Sequence, residues 1–148
     1  LIAVAENNVP SPLILTDAQK RQIEADGVSA YPNECCGILY GRDVDGRRVV
    51  ERLEVVANAY EADEQFHRFS IGPADLMRAE RSCKGGELVL GFYHSHPDHP
   101  ARPSETDRLH GWPFYSYVIV AIHQRKPVDM TSWVLQEATE QFAEQAIG

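Results

Sequence analysis

At 148 residues, 43% apolar and 24% charged, the chain has the make-up of one globular domain and can bury a core without a disulfide framework. A net charge of −8 excludes a general nucleic-acid or anionic-membrane surface, since both call for basic patches. Three cysteines (Cys35, Cys36, Cys83) and no apolar run approaching the roughly 18 residues of a membrane span predict a reducing, cytoplasmic setting.

Residues 1–12 (LIAVAENNVPSP) lack the charged start and apolar run of a signal peptide and read as a flexible leader, with residues 13–148 as a single domain. Thr16 with Gln19 forms a capping-box pattern that predicts a helix from Asp17, ended by Pro32. Ile38 to Gly41 reads as a short strand. Asp45-Gly46 is a hairpin signal, and Arg47 to Val56 is the returning strand. Asn58 to Gln65 is a polar loop, and Phe66 to Ile71 alternates as a short strand would. Pro73 suits the first turn of a second helix that ends before Gly85-Gly86. Glu87 to Tyr93 reads as a central strand, Ser104 as a helix start, Tyr117 to His123 as a buried strand, and Val128 to Leu135 as its hairpin partner. The tail from Glu137 fits helix or edge strand. The sum is a mixed α/β (α+β) domain with a single central mixed β-sheet flanked by helices.

The chemistry concentrates in His94-Ser95-His96-Pro97 and Ser104-Glu105-Thr106-Asp107. On a strand, residues i and i+2 point to one side, so His94 and His96 can offer two imidazoles to one ion. Asp107, eleven residues after His96 and in the first turn of the next helix, can fold back as a third ligand. Two neutral nitrogens and one carboxylate leave a tetrahedral position open, the layout of a catalytic zinc site. A base off the metal is also needed, and spacing alone does not find it among 22 acidic residues.

A His-x-His pair is by itself more often structural than ligating, and S-x-x-D at a helix start is also a plain capping box. Pro97 and the Ser/Asp spacing decide for ligands. Read the same way, Asp107 on a metal should not also serve as a cap. Cys35 and Cys36 read as small packing residues, His99 as a loop histidine, and Trp112, Tyr115 and Trp133 as core. His67, His110 and His123 carry no argument beyond packing or surface.

The pattern His94-Ser95-His96-Pro97 with Ser104 and Asp107 resembles the JAMM motif of the JAB1/MPN/Mov34 metalloproteases, and Asn33-Glu34-Cys35-Cys36-Gly37 resembles the segment carrying that family's upstream glutamate. The resemblance runs from about Leu13 to Leu135. It implies an MPN/JAB1-like fold, one Zn2+ per chain on His94, His96 and Asp107, and Glu34 as the group that orients and deprotonates the metal-bound water. Ser104 is implied to donate to the developing oxyanion or the water. The compact chain is similar to short, stand-alone prokaryotic members, and so implies a small ubiquitin-fold sulfur-carrier protein cut at its C-terminal Gly-Gly end. Neither nucleic acid nor membrane is expected as a partner, and sequence sets neither the oligomeric state nor substrate-binding residues. Three other readings compete. The chain could be a non-catalytic MPN scaffold. The same ligand set describes a non-haem iron oxygenase triad, which lacks the HSHP context. Zinc deaminases carry a P-C-x-x-C signature that this chain does not have.

Overall fold

Thr16 starts the first helix as its capping box requires: its Oγ1 accepts from Gln19 N–H at 3.0 Å and its own N–H donates to Gln19 Oε1 at 2.9 Å. The structure, a computed structural model, describes residues 9–57 and 71–148. Its elements are β1 (Leu13–Ile14), α1 (Asp17–Ala30), β2 (Cys36–Val44), β3 (Arg47–Val56), α2 (Pro73–Ser82), β4 (Leu88–Pro97), α3 (Glu105–His110), β5 (Ser116–His123), β6 (Lys126–Gln136) and β7 (Gln141–Gln145).

They form one seven-stranded mixed sheet in the order β1-β3-β2-β4-β5-β6-β7. The pairs β1/β3 and β4/β5 are parallel and the others antiparallel. β5 is buried on both faces, which explains its unbroken apolar run. Alternation along the strands divides the core. Leu39, Tyr93, Val118, Val120 and Ile122 pack with Ile23 of α1; Ile38, Tyr40, Phe92 and Tyr117 pack with Ala79 of α2. A methyl group on Gly37 would come within 2.1 Å of the Tyr93 ring, so this glycine is what lets β2 lie against the residue before His94.

Three details differ from expectation. β2 runs on to Val44, past a register shift at Tyr40/Gly41 where a Cβ on Gly41 would meet Val49 O at 1.9 Å. β1, absent from the sequence reading, is two residues long and owes its existence to pairing with Arg48 and Val49. The tail resolves as the edge strand β7, and the chain then bridges Leu13 through Ile147, with Ser11 O accepting from Gln145 Nε2 at 2.7 Å. The expected loop 58–65 lies outside the described residues, as does nearly all of the expected strand 66–71; Ile71 itself is not in a strand.

Candidate active site

β4 ends on the sheet's central parallel seam, and the motif rides on that end. His94 and His96 face one side, and Ser95 faces the other. His94 and Ser95 are wholly buried and His96 is 7% exposed. The first turn of α3 closes over them and delivers Asp107. His94 Nε2 lies 3.2 Å from His96 Nε2 and 3.2 Å from Asp107 Oδ1, and His96 Nε2 lies 3.1 Å from Asp107 Oδ2. The three residues named from the sequence as ligands are thus brought together, and among the described residues they form a group able to hold a metal ion.

Whether they suit zinc can be tested on their donor atoms. His96 Nδ1 sits 2.8 Å from Pro100 O. A carbonyl only accepts, so Nδ1 carries the proton and Nε2 turns a lone pair toward the Asp107 carboxylate. Two lone-pair atoms at such a distance need a cation between them, either a proton or a metal. Donors held tetrahedrally at about 2.0–2.1 Å from zinc would stand roughly 3.3 Å apart. The observed triangle is close to that size, so the residues fit the ion.

Burial holds His94 below the usual histidine range against the pull of Asp107, keeping it a neutral donor. Burial would lower His96 too, but the hydrogen bond and charge of Asp107 outweigh it and raise it. Burial would raise the Asp107 carboxyl, yet the two imidazoles hold it well below the usual carboxylate range.

Asp107 also completes the α3 capping box, contrary to the expectation that a ligand could not be a cap. Its Oδ2 accepts from Ser104 N–H at 2.8 Å, while Oδ1 stays turned to His94. A carboxylate has enough lone pairs for both tasks. Ser104 Oγ accepts from Asp107 N–H at 3.0 Å, which leaves its own O–H available to donate.

Glu34 stands just before β2 and is 7% exposed. It lines a cleft of about 320 Å³ together with His96, His99, Arg102, Ser104 and Thr106. Its position is set across the sheet. Cys35 N–H donates to Ser95 Oγ at 2.8 Å, Ser95 N–H returns to Cys35 O at 3.2 Å, and Cys36 pairs with His94. Burial pushes the Glu34 carboxyl up to about 8. A carboxyl raised on folding contributes fully below about pH 4.5, and its contribution is lost as pH rises through 8. Metal-free wild type should therefore lose stability relative to metal-free Glu34→Gln between pH 5 and 9, by on the order of 4 kcal/mol at most. Asp107 and both histidines are common to the two proteins and largely cancel. Paired urea melts across that range check it, and a constant difference would refute it.

Sequence reading missed the support of His96. The loop after β4 is pinned at Asp98, whose carboxylate accepts from Tyr31 O–H at 2.6 Å and Gln124 N–H at 2.9 Å. It is pinned again at Ala101, whose carbonyl accepts from Thr131 Oγ1 at 2.6 Å; Trp133 Nε1–H in turn donates to Thr131 Oγ1 at 2.8 Å. Pro100, which orients His96, lies between the two pins. No local signal in β6 marks Thr131; only its partner 30 residues away gives it meaning. Thr131→Val, which keeps shape but breaks both bonds, should weaken zinc affinity about tenfold in a chelator competition. Thr131→Ser should restore it, and equal affinity in all three proteins would remove Thr131 from this role. Cys35 and Cys36 are buried as expected, Trp112 and Tyr115 are partly buried and pack against the core, and Trp133 packs on Ile119 and Ala121. His67 lies outside the described residues.

A family model described as prokaryotic homologs of the JAB domain matches residues 16–136. A desampylase from Haloferax volcanii is 37% identical over 89 residues, which span 60% of this chain and 62% of that protein, so the match covers less than two-thirds of the relative's length. The solution structure of a Desulfitobacterium hafniense protein superposes with a TM-score of 0.75 at 34% identity, over 92% of this chain and 91% of that one. A JAB1/MPN domain protein from Archaeoglobus fulgidus shares the fold, with a TM-score of 0.55 at 21% identity over 92% and 97% of the two chains.

Proposed function

Because the chain belongs to the family of prokaryotic homologs of the JAB domain, we propose that it is a zinc-dependent peptidase whose metal rests on His94, His96 and Asp107. The observation that carries this reading is the convergence of two imidazole nitrogens and one carboxylate within 3.2 Å of each other, beside a buried glutamate in the same cleft. The likeness to a desampylase supports hydrolysis as the reaction class.

When bound, zinc acidifies a coordinated water to a pKa of about 7 in well-studied enzymes and polarises a carbonyl oxygen. The remaining work falls to the chain's own groups. Glu34 takes a proton from the attacking water and returns it to the departing amine. Buried in the same cleft as His96 and outside the ligand set, Glu34 is the carboxyl placed to accept that proton and give it back. Ser104 O–H donates to the oxygen that gains charge, its Oγ fixed by Asp107 N–H. Pro100 O and the Asp98 and Thr131 anchors keep the His96 lone pair aimed inward.

For substrate, the reading is the C-terminal Gly-Gly end of a small ubiquitin-fold protein, such as a sulfur carrier. A side-chain-free tail passes through a narrow cleft without clashes. The test has two parts: metal content by mass spectrometry, and cleavage of a C-terminally extended ubiquitin-fold carrier with and without chelator. About one zinc per chain and chelator-sensitive cleavage after Gly-Gly support the reading. Iron with oxygen uptake would replace it with an oxygenase, and metal-free protein that cuts nothing would replace it with a scaffold.

A further inference from the structure

A second cavity, of about 750 Å³, lies on the far side of the loop that carries Pro100. His99, Pro100 and Arg102 line both this cavity and the Glu34 cleft, so one ridge separates them. The floor is the sheet face that holds the ligands. His96 pairs in register with Ala121 of β5, and Ala121 with Asp129 of β6. Two strand spacings put Asp129 about 10 Å from His96, the reach of about three extended residues.

The lining has a definite chemistry. Ala121, Val128 and Trp133 supply apolar surface. The Trp133 ring is fixed by its hydrogen bond to Thr131. Glu144 pairs across the strands with Trp133, and Asp129 lies four residues before Trp133 on the same face of β6. Among the described residues neither Asp129 nor Glu144 enters a salt bridge; Asp129 accepts from Met130 N–H through Oδ1 at 2.9 Å and keeps Oδ2 for a ligand, whereas Asp98 is occupied by Tyr31, Gln124 and His123. An apolar floor between two available carboxylates suits a long aliphatic side chain with a cationic head.

Resting on the peptidase reading above, we infer that this cavity is a substrate subsite that takes a lysine or arginine side chain within about three residues of the scissile bond, on the leaving-group side. On the acyl side of the proposed substrate the two residues nearest the bond are glycines with no side chain to place there, whereas on the leaving-group side the first residue already carries one. Arg102, on the ridge, then lies between the reacting centre and the cationic head and keeps that head in the outer cavity.

Binding can be read without turnover. The indole N–H signal of Trp133 is followed by NMR in the zinc-loaded protein during titration with two uncleavable peptides, Gly-Gly-Lys-Ala and Gly-Gly-Glu-Ala, each with a reduced bond after the second glycine. The lysine peptide should shift Trp133 and leave Trp112 in place, and the glutamate peptide should bind at least about tenfold more weakly. The Asp129→Asn/Glu144→Gln double variant should lose that preference with metal content unaltered. Equal affinity for the two peptides, or no shift of Trp133 with either, overturns the subsite whether or not the protein cuts anything. Loss of cleavage with the Trp133 response intact counts instead against the peptidase reading. With a cleavable carrier, Lys over Glu after Gly-Gly should raise kcat/KM by about tenfold or more.

Discussion

Glu34→Gln should keep about one zinc per chain and lose on the order of a thousandfold in turnover, the usual worth of a positioned general acid–base. The substitution is nearly isosteric, and Glu34 is not among the three groups that converge on the metal position. The next residue, Cys35, is held by two hydrogen bonds to Ser95, which an amide side chain at position 34 leaves untouched. Glutamine has no oxygen that can carry the transferred proton at neutral pH, so the loss should fall on kcat rather than on metal affinity. Turnover within about tenfold of wild type would take the proton-transfer role away from Glu34.

Asp107→Asn should do the reverse, releasing the metal while sparing the fold. In wild type one carboxylate meets three partners, Ser104 N–H and His96 through Oδ2 and His94 through Oδ1. An asparagine can still accept from Ser104 with its carbonyl and so keep α3 capped. Its amide group then faces His94 with hydrogens where a lone pair is needed, and zinc affinity should fall by at least about a hundredfold. Chelator competition reads the affinity, and far-UV circular dichroism reads the helices. Asp107→Ala removes the cap as well and should lower the melting temperature beyond the asparagine variant. Retention of zinc by Asp107→Asn would remove Asp107 from the ligand set.

What the sequence revealed and what it hid divide along the range of the interactions. The Thr16 capping box, the Asp45-Gly46 turn and the returning strand from Arg47 to Val56 are local, and the structure has them where the residues put them. The same holds for β5, whose apolar run is long enough to speak for itself. The three convergent residues were legible because His94 and His96 are two apart on one strand and Asp107 opens the next helix. Glu34 was legible only through the resemblance of Asn33 to Gly37 to the family segment: spacing does not separate it from the other acids, and its place beside His96 arises from a strand pairing 60 residues apart. β1 and β7 were illegible for the same reason. Two residues have no period, and the tail becomes a strand through its contact with β6 and then with Leu13. That Asp107 caps and faces the histidines at once was misjudged because one residue was assigned one task, while a carboxylate has two oxygens.

The two cysteines that follow Glu34 offer an independent clock for motion at the site. Burial raises both thiols, Cys36 to about 12, and covers them, so reagents that need an accessible thiolate should leave them untouched while the sheet is intact. Cys83, only partly buried, should react before them. Slow labelling of Cys35 and Cys36 therefore measures how often β2 parts from its neighbours, and every such parting also carries Glu34 away from His96. The lifetime of the assembled centre is written in the alkylation rate of two residues that take no part in its chemistry.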